Sequence, residues 1–184
     1  MFKFAALVMA FCAMTVTVSG REYDSRMGTT EVSGGGGVAF APEGIGNRPL
    51  IGGDLQISLS RYFSVGGGMS YFWANESILG GLVKGKVDAL MYGGNFQFHI
   101  PTGTRVAPFI GSGVGALRAG GSLTLFGVQG SAQDTVFAAN YGGGVRVYIL
   151  PNFGIKSEFR AIKARDYDWF STITTGVFYQ FGKD

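Results

Sequence analysis

Cysteine, histidine and charge are all scarce in this chain, and each scarcity removes a class of protein. The single cysteine is Cys12 and the single histidine is His99. A disulfide framework is therefore ruled out, and so are the Cys/His ligand sets of structural zinc sites. Charged residues make up 15% of the chain, well below the roughly 25% of ordinary soluble domains. The net charge of +3 is spread along the chain without a basic cluster interleaved with aromatics, so nucleic acid is not an expected partner. Beyond the first residues there is no long apolar run and no sustained 3.6-residue periodicity, which excludes membrane-spanning helices and helical bundles.

The amino-terminal stretch has the layout of a signal peptide: Lys3, an apolar segment from Phe4 to Val18, then Val18-Ser19-Gly20 before Arg21. That segment is shorter than the about 20 residues a spanning helix needs. Phe11 before Cys12 does not suit a lipoprotein cleavage site. The expectation is cleavage after Gly20, leaving one cysteine-free domain over residues 21–184.

What is present is period-2 alternation, repeated along the chain. Between Ala89 and Ile100, the residues Leu90, Tyr92, Phe96, Phe98 and Ile100 share one face, and Met91, Asn95, Gln97 and His99 the other. Leu55, Ile57 and Leu59 alternate with Asp54, Gln56, Ser58 and Ser60. Phe153, Ile155, Phe159 and Ala161 alternate with Lys156, Glu158 and Arg160. A soluble barrel would turn its apolar face inward, whereas a membrane barrel inverts the pattern and sends Lys156, Glu158 and Arg160 into the lumen as mutually compensating charges.

Three features favour the inverted arrangement. Strands are expected over Thr29–Ala41, Leu50–Ser60, Phe63–Trp73, Val87–Ile100, Arg105–Leu117, Thr135–Ile149, Phe153–Lys163 and Phe170–Phe181, each long enough for the about 9–11 residues of a tilted membrane strand. Short connections (Arg61-Tyr62, Pro101–Thr104, Leu150–Asn152) alternate with longer ones, including Ala74–Lys86 and Arg118–Asp134, as periplasmic turns alternate with external loops. Tyr62, Phe63, Tyr71, Phe72, Trp73, Trp169, Phe170, Tyr179 and Phe181 fall near strand ends, where interfacial girdles belong. The expected fold is all-β: an eight-stranded antiparallel up-and-down transmembrane β-barrel, and a monomer.

The glycine runs Gly34–Gly37, Gly66–Gly68 and Gly142–Gly144 lie inside these strands, where glycine normally weakens pairing. In a narrow barrel their expected use is steric, clearing space for Arg146, Tyr148 or Lys156. Gly111-Ser112-Gly113-Val114-Gly115 lacks the following helix that a dinucleotide loop requires.

Glu31–Gly35, Pro108–Gly115, Tyr141–Arg146 and Gly176–Phe181, in that order and spacing, resemble the small outer-membrane β-barrel domains of the opacity and OmpX-like family. The resemblance covers nearly all of residues 21–184. It implies a bacterial outer-membrane location, contact with outer-membrane lipids and lipopolysaccharide, and recognition of Ile173, Val177, Tyr179 and Phe181 by the outer-membrane assembly machinery. Gly182-Lys183-Asp184 departs from the family pattern by extending past the last aromatic.

Some barrels of this size edit lipid A, which would need a histidine base with a serine and a carboxylate near the outer leaflet. His99 is expected at the opposite, periplasmic end, bonded to Gln97 or Arg105, and Ile100-Pro101 follows it. Asp166 and Asp168 are read as a solvated loop. Glu31, Asp54, Glu158, Arg146, Lys156 and Arg160 are expected to pair in the lumen, since an unpaired charge there is costly. No catalytic, cofactor-binding or metal-binding set emerges. The leading expectation is a non-enzymatic barrel whose exposed loops, with Ile78, Leu79 and Phe126, serve envelope integrity or surface contact. A lipid A-modifying enzyme, a small passive channel and a soluble lipocalin-like barrel are the rivals.

Overall fold

The computed structural model describes residues 27–40, 47–78, 83–125, 128–165 and 168–182, with side chains described outside 74–87 and 122–132. The expected signal peptide, Leu79, Phe126 and Asp166 lie outside the described residues, as does the side chain of Ile78. The strands are β1 (Thr30–Phe40), β2 (Asn47–Ser58), β3 (Phe63–Ile78), β4 (Val83–His99), β5 (Val106–Leu125), β6 (Val128–Leu150), β7 (Phe153–Ala164) and β8 (Phe170–Phe181). Each pairs antiparallel with its neighbours in chain order, and β1 pairs with β8 to close the barrel. Closure removes the exposed edges that no lipid-embedded sheet tolerates.

The expected alternation holds, and the faces are inverted relative to a soluble protein. Leu55, Ile57, Phe96, Ile110, Phe159 and Val177 are exposed, whereas Glu31, Gln56, Gln97, Arg146, Lys156 and Glu158 are buried. The outward face is the apolar one, so hydrocarbon is its solvent.

Two expectations need correction. Ala74–Lys86 and Arg118–Asp134 are not long loops: β3 and β4 stay paired out to Ile78↔Val83, and β5 and β6 out to Leu125↔Val128. Gly120 and Gly121 disguised strand as loop, because glycine weakens the periodic signal without preventing pairing. In addition, Phe72 and Phe170 do not join the girdle. They point into the barrel and meet edge to face, with ring centroids 6.1 Å apart.

The glycines do make room, chiefly for backbone rather than for Arg146, Tyr148 or Lys156. A Cβ on Gly35 would lie 2.4 Å from the Thr175 carbonyl oxygen and 2.5 Å from the Gly176 Cα; one on Gly115 would lie 2.1 Å from the Tyr92 oxygen. Inward glycines let adjacent strands bend to the tight radius of eight. Two also admit aromatic rings, Gly144 for Phe109 and Gly154 for Phe178.

Candidate functional site: a filled lumen and an extended external sheet

The lumen is occupied in layers. Near the turn end, where Ser58, Phe63, His99, Leu150, Phe153 and Phe181 begin or end strands, Ala107, Tyr148 and Phe178 pack together. Gln180 donates from Nε2 to the Tyr148 hydroxyl (3.0 Å) and to Glu31 Oε2 (3.1 Å), linking this layer to the charges above.

Those charges form one network from β1, β2, β6 and β7. Arg146 donates from Nε to Glu31 Oε2 (2.8 Å) and from Nη2 to Glu31 Oε1 (2.9 Å) and Gln97 Oε1 (2.7 Å). Its guanidinium lies over the Phe109 ring at 4.4 Å. Lys156 donates to both Asp54 oxygens (2.9 and 3.0 Å) and stands 3.7 Å from Glu31 and 3.8 Å from Glu158. Arg160 grips Glu158 at 2.6 and 2.9 Å. The six residues expected to compensate one another do so, carboxylate against cation, leaving no net charge among them. Tyr148 and Gln56, expected on the inner and the polar face, support the network together with Phe109, Ser64 and Gln180, which the sequence did not single out. The inward parity of β2, β3, β5, β6 and β8 was the signal available for all of them.

His99 is on the inner face at the turn end, as expected, but its partners are Ser64 and Arg146, not Gln97 or Arg105. Nδ1 is 2.9 Å from Arg146 Nη1, and Nε2 is 2.8 Å from Ser64 Oγ. An arginine only donates, so Nδ1 accepts and the neutral ring carries its proton on Nε2. That proton points at the serine hydroxyl. A histidine base would instead offer Nε2 as the acceptor, with a carboxylate behind Nδ1. This Ser–His contact is thus arranged for packing rather than for removing the serine proton.

A cavity of about 40 Å³ lies farther along the lumen among Ser33, Asp54, Ser70, Lys156, Arg160 and Thr174. That is room for a few waters beside hydroxyls and charges. Beyond it an apolar layer of Leu50, Phe72, Met91, Leu117, Ala138 and Ile162, with Phe170 packed against it, fills the external end. Among the described residues no group of histidine, cysteine or carboxylate side chains is placed to hold a metal ion, and Asp168 is exposed.

Above that layer the barrel is uneven. β1, β2, β7 and β8 have 11 or 12 residues, whereas β3 to β6 have 16, 17, 20 and 23. Pairing of β2 with β3 begins at Leu50↔Phe72, and pairing of β6 with β7 at Ala138↔Ala164. Four strands therefore continue outward as a sheet after their neighbours have stopped.

A closed antiparallel barrel with an apolar exterior and a charge-compensated, filled lumen defines an integral outer-membrane protein of the small eight-stranded class. The chain belongs to the outer membrane protein beta-barrel domain family, whose model matches residues 4–181. Its location is the bacterial outer membrane. The structure is similar to Ail, the attachment invasion locus protein of Yersinia pestis, with TM-score 0.66 and 19% identity over 84% of this chain and 99% of that one. Neisserial surface protein A gives 0.61 and 17%, covering 84% and 99%. The N-terminal β-barrel domain of Pseudomonas aeruginosa OprF gives 0.55 and 21%, covering 85% and 100%. These likenesses are of fold. No curated protein matches the sequence significantly.

Proposed function

We propose that this is a non-enzymatic, monomeric outer-membrane protein whose extended external sheet serves surface contact or envelope integrity. The observation that carries this reading is the outgrowth of β3–β6. Trp73–Ile78 on β3 and Val128–Val136 on β6 pair on one side only among the described strands, and such edges accept an added strand from a partner. Ail has been crystallised with a heparin analogue, sucrose octasulfate. By analogy, anionic glycans and lipopolysaccharide are the first partner class to test here.

Delivery would follow the usual route, with cleavage after Gly20 and capture of β8 by the assembly machinery. Ile173, Val177, Tyr179 and Phe181 are all exposed on the outward face, which suits that recognition. No cofactor is invoked.

The test is a trimmed barrel in which residues 120–133 are replaced by a two-residue turn. The trimmed protein should keep its heat-modifiable gel shift while cells carrying it lose surface attachment or gain sensitivity to detergent. Cells indistinguishable from wild type in both assays would refute the reading. A lipid A mass spectrum altered by expression of the wild type would reinstate the enzyme.

A further inference from the structure

We infer that the external end of β7 is a binding site for the phosphorylated headgroup of lipid A in the outer leaflet. The site presupposes the lipopolysaccharide contact proposed above and gives it a place. On the outward face of β7, Ile155, Ser157, Phe159 and Ala161 are followed by Lys163 and then by Arg165, both exposed. From Phe153 to Ala161 the strand has about the 9–11 residues needed to cross hydrocarbon, so the two cations stand where the headgroups begin.

Their neighbours are aromatic. Lys163 is opposite Ala139 on β6, and the Arg165 amide donates to the Phe137 carbonyl at 2.8 Å, which puts Arg165 beside Phe137. Tyr141 and Trp169 reach over β7 from either side and meet edge to face, 5.7 Å between centroids. Phe137, Tyr141 and Trp169 are 58%, 57% and 53% exposed, open aromatic surface around two cations. Two positions along a strand separate the cations by roughly 7 Å.

The combination matches one chemistry: a phosphate bridging lysine and arginine, flanked by the Phe137 and Trp169 rings, with an acyl chain lying on Tyr141 below it. Lys163 and Arg165 each also make an interaction within the protein, which a bound headgroup has to accommodate. With Asp166 directly after Arg165 in sequence, Asp168, exposed just before Trp169, is one of two carboxylates flanking the patch along the chain. It should oppose the phosphate and limit affinity.

Native mass spectrometry of the full barrel in detergent, with bisphosphorylated lipid A added, tests the site. Wild type should retain lipid A in preference to its dephosphorylated form and to phosphatidylglycerol. K163Q/R165Q should weaken retention about tenfold or more, the scale expected for losing charge-assisted contacts. D168N should strengthen it, and R61Q, at the turn end, should leave it unchanged. The heat-modifiable gel shift verifies that each variant is folded. Equal retention of phosphatidylglycerol, or no loss in K163Q/R165Q, would overturn the site. Loss of attachment on trimming residues 120–133, with lipid A retention intact, would separate that function from this one; unaltered attachment would defeat the surface-contact reading alone.

Discussion

Arg146 and Glu31 stand 115 positions apart in sequence and are joined across the lumen by charge-assisted hydrogen bonds, the two shortest from Nε to Oε2 at 2.8 Å and from Nη2 to Oε1 at 2.9 Å. Their side chains are 1% and 3% exposed, so neither charge has water to fall back on. Removing one partner strands the other, whereas removing both leaves a space that apolar groups can fill. E31Q should therefore destabilise the barrel by about 3–5 kcal/mol, and E31L/R146M should recover most of that loss. Urea unfolding in lipid bilayers, followed by Trp fluorescence, measures both. A double variant as unstable as the sum of the single ones would contradict the pairing.

The inward and outward faces of β7 give a second, independent test. Lys156 and Glu158 are buried, while Ile155 and Phe159 are exposed on the lipid side. Single cysteines at 155, 157 and 159, introduced after Cys12 is replaced, should be reached by bilayer-soluble probes. Cysteines at 156 and 158 should not. An outward lysine at Val177, near the middle of β8, should cost about 2–4 kcal/mol, the range for a cation facing the bilayer midplane. A neutral outcome would mean that this face does not meet hydrocarbon.

Parity explains how much of this could be read from the residues alone. Side chains on a strand alternate strictly, so Lys156, Glu158 and Arg160 had to share a face with one another and oppose Ile155 and Phe159. Once that face was assigned to the lumen, their partners Glu31, Asp54 and Arg146 followed from charge balance. The partners of His99 did not follow, because Ser64 lies on another strand and only the register Ser64↔Gln97 brings it near. Phe72 and Phe170 were misplaced for a related reason. Position near a strand end says nothing about parity, and both sit on the parity of inward residues. The outgrowth of β3–β6 was hidden by glycine and charge, which read as loop wherever tertiary pairing is invisible.

Neighbouring glycines on β1 have opposite roles that substitution can separate. A Cβ on Gly35 would collide with the Thr175 carbonyl and the Gly176 Cα, backbone atoms of β8 that cannot yield without parting the closing seam. On Gly34 it would meet only the Gly52 oxygen, at 3.8 Å. G35A should cost about 1–3 kcal/mol, as overpacking does, and lower the heat-modifiable folded fraction after refolding. G34A should leave it unchanged. Equal behaviour of the two would show that curvature at the β1–β8 seam does not depend on glycine.

Whether ions pass through the barrel depends on its two apolar layers more than on its charges. The central network is polar and borders a cavity of about 40 Å³, enough for water beside Ser33, Ser70 and Thr174. At the external end, however, Leu50, Phe72, Met91 and Ile162 are buried against one another, with Phe170 packed on them. At the turn end Tyr148 and Phe178 are 1% exposed. An ion would have to shed its hydration to cross either layer; the external one offers it apolar side chains, and at the turn end the Tyr148 hydroxyl is already bonded to Gln180. The wild type should therefore show no conductance steps in planar bilayers. F72G/F170G, which thins the external layer, should still not conduct, because Tyr148 and Phe178 close the other end. Adding F178G should open brief, small steps. Conductance in the wild type would show that these layers do not seal the lumen, and a silent triple variant would put the barrier in the ion network itself.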